Sequence, residues 1–330
     1  MGSSIKHSCF SDEDYQAFSH RLQQNLQTLA DLLKHPEFGQ GAPSLGAELE
    51  LSLIDQRGQA QWINQQLIAQ ANDPQLTLEL NQYNLEYNLS HLPAKGACFS
   101  AIGAEIKHKL SCLDRLAEPF GTRSVAIGIL PTLRRKDIGI QAMSDFLRYR
   151  VLTESIKAMR GSPFEINING PDPLKLTLGE LNAEGANTSF QVHLRVNPQQ
   201  FTDHYNAAQL VVAPALAVST NSPLFLGHRL WEETRVPLFK QAVETRNQSA
   251  ITSHRTARTG LGRGWISNGA LELFQRSVDD FAVLLPECSD SAEAGGHCAP
   301  ELFELRLHHG SIWHWNRAIY DSADGGHLRM

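Results

Sequence analysis

Apolar residues recur every three to four positions over residues 11–34, with Phe18, Leu22, Leu26, Leu29 and Leu33 on one stripe. Ser11 and Asp14 are spaced as a capping box, so the pattern predicts an amphipathic helix that "HPEFGQGAPS" ends. The period then changes to two. In "GAELELSLID", Leu49, Leu51 and Leu53 alternate on one face while Glu48 and Glu50 share the other, which predicts a strand. "LTLELNQYNLEYNLS" repeats the alternation on either side of "NQYN", where a bulge or turn is expected. Helical spacing returns over residues 101–116 and 144–160, the second segment carrying Arg148 and Arg150. "SVAIGILP", "FEINING" and "SFQVHLRV" read as strands, residues 206–218 as an apolar helix interrupted at Pro214, and residues 230–245 as another amphipathic helix. "FELRLH" and "GGHLRM" alternate as the last extended pieces. Strands mixed irregularly with helices predict an α+β fold with a mainly antiparallel sheet.

Composition narrows the function classes. The chain has 330 residues, of which 42% are hydrophobic, enough for a sizeable core, and a formal net charge of −6. That balance argues against general nucleic-acid binding, which depends on neutralising phosphates. The five cysteines are odd in number and widely spaced, so no disulfide framework is expected. Cys288, His297 and Cys298 fit no standard zinc spacing, and residues 288–300 read as a small polar loop. "MGSSIKHSCF" lacks the apolar core of a signal peptide, and no apolar run reaches membrane length, so a soluble, cytoplasmic protein is expected. "GLGRG" has no following Lys-Ser or Lys-Thr and is not a P-loop; its glycines suit at most a flexible lid.

The chemistry concentrates on acidic strand positions. Glu48 and Glu50 project together, as do Glu86 and Asn88. Glu79 lies seven residues before Glu86, so an unbroken strand would put them on opposite faces and a break at residues 81–84 could bring them to one side. His193 shares a face with Gln191 and Arg195. Carboxylates gathered on one face need water or a cation, and hard ions such as Mg²⁺ take carboxylate oxygens while keeping positions for substrate phosphate. Taken alone, Glu-x-Glu more often marks a solvated strand face, and a histidine between Val192 and Leu194 is more often a satisfied interior residue.

The motifs "GAELELSLID", "LELNQYNLEYN", "AIGILPTL", "ANTSFQVHLRV", "NSPLFLGHRLWEETR" and "HHGSIWHWNRAIYD" resemble, in this order, the glutamate–cysteine ligase type 2 family of carboxylate-amine ligases. The resemblance implies a glutamine-synthetase-like fold, a curved half-barrel sheet with flanking helices, over residues 41–330, preceded by a helix and linker at residues 1–40. It implies ATP and Mg²⁺, with Glu48, Glu50, Glu79, Glu86 and His193 as metal ligands and Glu50, His193 and Arg195 beside the nucleotide. It implies that ATP phosphorylates a carboxylate and that an amine displaces the phosphate. A glutamate and a cysteine would fit, as in glutathione biosynthesis. Such chemistry needs positioning and charge neutralisation, not a protein nucleophile.

Arginine forks bind carboxylate and phosphate, which puts Arg235, Arg246 and Arg317 forward as catalytic candidates. Trp313 and Trp315 fit either a pocket wall or the core. In the family, "GGHLR" continues into a strand carrying Glu-x-Arg, whereas this sequence ends at Met330, so a domain lacking its C-terminal part is expected. Glu304 and Arg306 also read as Glu-x-Arg but precede the tryptophan motif and are expected on a different strand. A non-catalytic or inactive truncated member with a residual nucleotide or metal site is therefore the alternative, and a metal-dependent hydrolase a third. Small-molecule substrates are the expected partners, without nucleic acid or membrane, and a homo-oligomer stays open.

Overall fold

A computed structural model describes residues 5–252, 255–290 and 299–330. The chain opens with α1 (Asp12–Leu32), where the Asp14 amide donates to Ser11 Oγ and the Ser11 amide donates to the Asp14 carboxylate, closing the capping box. There follow β1 (Ser44–Asp55), α2 (Asn64–Ala71), β2 (Leu76–Leu78), β3 (Asn84–Asn88), β4 (Leu92–Pro93), α3 (Cys98–Ala117) and β5 (Thr122–Val125). The middle of the chain forms α4 (Leu147–Arg160), β6 (Phe164–Ile168), β7 (Leu174–Leu178), β8 (Phe190–Val196), α5 (Phe201–Val218), β9 (Leu224–Phe225) and β10 (His228–Arg229). The remainder is α6 (Arg235–Ala242), α7 (Gln248–Thr252), β11 (Thr259–Gly260), α8 (Ala270–Asp280), α9 (Phe303–His309), β12 (Trp313–His314), β13 (Ile319–Asp321) and β14 (His327–Arg329).

The main sheet is an antiparallel half-barrel in the order β13-β14-β8-β1-β3-β2, with β4 and β5 paired to the two ends of β1. Its register sorts the side chains by chemistry. Glu48 lies opposite Asn88 on one side and Gln191 on the other, Glu50 opposite Glu86, and Gly46 opposite His193. Thr77 lies opposite Glu86 and Arg329 opposite Arg195. Residues directly opposite share a face, so all these polar groups occupy one side. The other side carries Leu45, Ala47, Leu49, Leu51, Leu53, Leu85 and Tyr87, which are buried with Leu67 of α2 and with Ile102 and Leu113 of α3. Each fully buried leucine stabilises the fold by roughly 1.5–3 kcal/mol, so the apolar side fixes the register and thereby the polar one.

Two further cores brace this sheet. One joins α1, α4, α8 and α9 through Phe18, Leu22, Leu29, Ile156, Phe274 and Leu305. The other seats the β6–β7 hairpin and Leu238 of α6 against Ile129, Leu130 and Tyr83. Among the described residues, no helix is long and apolar enough to cross a membrane.

Several expectations change. "FELRLH" is the helix α9, not a strand, so Glu304 and Arg306 do not form a strand pair. Its six residues satisfy either period, and burial of Leu305, His308 and His309 against neighbouring helices decides for the helix. Glu304 accepts from Arg21 Nη1 at 3.3 Å and the Ser289 amide at 2.9 Å, while Arg306 reaches Glu301 at 2.6 Å. The strand in "SVAIGILP" stops at Val125, and the helix predicted from Leu230 starts only at Arg235. Pro214 lies inside α5 without ending it. Gly260, Gly262 and Gly264 of "GLGRG" all have positive φ, and a Cβ on Gly262 would stand 2.9 Å from His314 Cε1, so this loop packs on β12. Trp313 packs against the core while Trp315 is exposed. His297 and Cys298 lie outside the described residues.

A candidate active site on the polar face of the sheet

The polar face gathers its carboxylates at one point. The hairpin turn between β2 and β3 reverses the chain, so Glu79, just past β2, comes back over Glu86. One carboxylate oxygen each from Glu50, Glu79 and Glu86 lies within 4.8 Å of the others. Asparagines hold that turn. Asn81 Nδ2 donates to Tyr83 Oη at 2.9 Å and to the Asn182 carbonyl at 3.1 Å, and Asn182 Nδ2 returns a bond to Asn81 Oδ1 at 3.1 Å. Asn64 Nδ2 donates to the Asn81 and Asn84 carbonyls. A Cβ on Gly185 would stand 2.6 Å from Asn81 Nδ2, so only glycine lets the 181–186 turn, with Glu184, approach this closely.

Crowding and burial set the electrostatics. Burial, then the charges of Glu86 and Glu184, push the Glu50 pKa up to about 8, although the Ser189 amide donates to Glu50 Oε2 at 2.7 Å. Burial, then Glu50, Glu86 and Glu184, raise Glu79 well above its ordinary value. Burial, then Glu48, raise Glu86, against bonds from Asn88 and Thr77. Burial alone lifts Glu184 to about 7. The group therefore holds protons near neutrality unless a cation replaces them. Oxygen-only donors of high negative charge suit Mg²⁺, and the residues present fit that ion.

Beside this group lies a polar chain. Arg329 Nη1 donates to His193 Nδ1 at 2.9 Å and Nη2 to Asp321 at 3.0 Å. An arginine can only donate, so Nδ1 accepts and the imidazole proton sits on Nε2, 3.4 Å from Glu48 Oε1. Burial lowers the His193 pKa, Glu48 opposing and Arg329 reinforcing. The imidazole thus stands neutral and turned to Glu48. Arg317 is enclosed, and burial lowers its pKa while Glu48 works against that. Arg148, on α4, has its pKa lowered by burial, with Tyr149 and then Glu79 working against that.

The structure brings Glu50, Glu79 and Glu86 together and sets Glu48, His193 and Arg317 next to one another. Arg235 adjoins the site through backbone: it donates to the Thr188 carbonyl at 2.8 Å, next to Ser189, and grips Glu233 at 2.5 and 2.7 Å. Arg195 turns away, donating to the Gln40 carbonyl at 2.8 Å. Arg246 is tied to Glu244 at 2.6 and 2.9 Å and to the Arg255 carbonyl at 2.7 Å. Pattern reasoning missed Glu184 and Arg329 and gave Arg148 no role. Glu184 sits in an irregular turn without periodicity, and Arg329 acquires its partner only through the β8–β14 pairing.

Asn81→Ala should loosen the turn between Glu79 and Glu86. The expected loss is about 1–3 kcal/mol, the usual result of stranding buried polar partners. Urea unfolding with and without Mg²⁺ checks it, and the Mg²⁺-induced stabilisation should shrink as well.

A family model described as glutamate-cysteine ligase family 2 matches residues 44–259. That span holds Glu48, Glu50, Glu79, Glu86, Glu184 and His193, while Arg317 and Arg329 lie beyond it. A search of curated proteins finds no match.

Proposed function

The chain belongs to glutamate–cysteine ligase family 2, whose members are carboxylate-amine ligases, and on that premise we propose that it is an ATP- and Mg²⁺-dependent enzyme that activates a carboxylate as an acyl phosphate and transfers it to an amine. The observation that carries this reading is the convergence of Glu50, Glu79 and Glu86 within 4.8 Å. Three carboxylates with raised pKa values on one face of the sheet are poor structural partners for one another and good partners for a divalent cation.

In this reading Glu50, Glu79 and Glu86 hold the ion, and Glu184 adds negative charge behind them. Bound there, Mg²⁺ supplies neutralisation of ATP phosphate charge and polarises the transferred phosphoryl group. Ser189 fixes the Glu50 carboxylate through its backbone N–H, and Arg235 holds the neighbouring Thr188 carbonyl, so the segment leading into β8 is tied beside Glu50. Arg329 fixes His193, which orients Glu48 through its Nε2 proton; ligation by His193 itself would require the other tautomer, against the Arg329 donor. In this reading Arg317, near enough to feel Glu48, and Arg148, near enough to feel Glu79, meet substrate carboxylate and phosphate oxygens. Arg246 and Arg195 are given scaffold roles by their bonds to Glu244 and to Gln40.

A glutamate γ-carboxylate and a cysteine amine are the first substrate pair to try. ADP release should require a carboxylate, an amine and Mg²⁺ together, and mass spectrometry should find the amide. ADP release without an acceptor would favour a hydrolase. Absence of both ATP and Mg²⁺ binding by calorimetry would overturn the assignment.

A further inference from the structure

The helix α5 is apolar on both of its sides. Tyr205, Gln209, Val212 and Leu216 recur at spacings of four, three and four on the side turned to the protein. Opposite them, Leu210, Val211, Pro214 and Val218 face outward, with Leu210 66%, Val211 57% and Val218 88% exposed. A helix that is hydrophobic all round belongs in an interior, and among the described residues nothing covers this one.

The patch extends beyond the helix. Asn206 pairs with both backbone groups of Ile266, and Gln209 Nε2 donates to the Leu261 and Gly264 carbonyls, so the 261–266 loop lies alongside α5. Leu261 and Trp265 of that loop are exposed. Between Asp203 and Arg229 the sequence has no Asp, Glu, Lys or Arg.

We propose that this face is the contact between two copies of the chain, formed by α5 packing on its symmetry mate with Leu261 and Trp265 at the flank. The proposal does not rest on the ligase reading. A standard stable interface takes about 800 Å² from each partner, and the exposed Leu210, Val211, Val218, Leu261 and Trp265 supply its apolar centre. A two-fold contact requires a surface to complement itself; the α5 part of the face, free of Asp, Glu, Lys and Arg after Asp203, does so without like-charge repulsion, and Arg263 of the loop is already paired with Asp280. Alanines at 207, 213 and 217 allow close approach of the helix pair. A lipid surface is the poorer occupant: interfacial helices carry Lys and Arg on their flanks, whereas this chain has a net charge of −6 and opens α5 with Asp203.

The test is sedimentation velocity on the full chain at micromolar concentration, with Leu210→Glu/Val218→Glu alongside. Glutamate is a good helix former and both positions are solvent-facing, so the variant should keep its circular dichroism spectrum. The expected result is the mass of two chains for the parent and of one chain for the variant. A monomeric parent, or a variant that still dimerises, overturns the proposal. Co-sedimentation of a monomeric parent with phosphatidylserine vesicles would overturn it in favour of a membrane surface. Should the variant lose its spectrum, Trp265→Ser with Leu261→Ser replaces it, and an undiminished dimer there overturns the proposal equally.

Discussion

Replacing Glu50 by Gln should lower turnover sharply and stabilise the metal-free protein at the same time. Glutamine keeps the shape of the side chain and its acceptor for the Ser189 amide, but removes the charge that Glu79 and Glu86 resist. A carboxylate whose pKa moves from 4.5 to about 8 opposes folding at pH 8. The face is partly open to water, which discounts the effect, so the expected gain is about 1–3 kcal/mol in the absence of divalent ions. Losing one ligand oxygen should meanwhile lower kcat on the order of 10²–10³-fold, as removal of a single preorganised electrostatic group does elsewhere. Thermal unfolding in EDTA and a coupled ADP assay read the two effects separately. A purely structural Glu50 would give the opposite stability sign, since an engaged carboxylate costs stability when altered.

The second large effect is on pH dependence. Glu50, Glu79, Glu86 and Glu184 all have folded-state pKa values above their unfolded ones. Between those values the folded state binds more protons than the unfolded chain, so the metal-free protein loses stability as pH rises toward about 8. The buried imidazoles His308 and His309, held at about 4 and about 3, are neutral in the folded state, and unfolded imidazoles lose their protons around pH 6.5, so the histidines contribute little slope once the pH is about a unit higher. A scan from about pH 7.5 to 8.5 therefore reads chiefly the carboxylates. In EDTA the midpoint should fall across that range by several degrees, a size that follows from a change of about 2 kcal/mol in a protein of this length. In saturating Mg²⁺ the fall should vanish, because a cation replaces the protons. Parallel curves with and without the ion would contradict the assignment of these residues to it.

How much of this was legible before the structure depends on the residue. The alternation in "GAELELSLID" was enough to place Glu48 and Glu50 on one face, because burial of Leu49, Leu51 and Leu53 leaves only one register. The break at residues 81–84 was legible as a break, and its consequence, Glu79 returning over Glu86, needed the turn geometry that Asn64, Asn81 and Asn182 impose. Long-range partners were not legible. Glu184 approaches the others only through the Gly185–Asn81 contact, and Arg329 meets His193 only because β14 adds to β8. The arginines divide for a local reason. Arg195, Arg235, Arg246 and Arg317 are all chemically able to bind anions, yet Glu233 and Glu244, each two residues earlier, already engage Arg235 and Arg246. The helix α9 was missed because a six-residue window fits both periods, and packing between α1 and α8 settles it.

Isothermal titration of Mg²⁺ into the metal-free protein at pH 7, repeated in buffers of different ionisation enthalpy, tests the central claim most directly. If Glu50, Glu79 and Glu86 hold the ion, binding must expel the protons that crowding keeps on them, so about one or more protons should be released per ion. Glu50→Gln should reduce both the affinity and the proton release. Undetectable binding, or binding without proton release that Glu50→Gln leaves unchanged, would contradict the account.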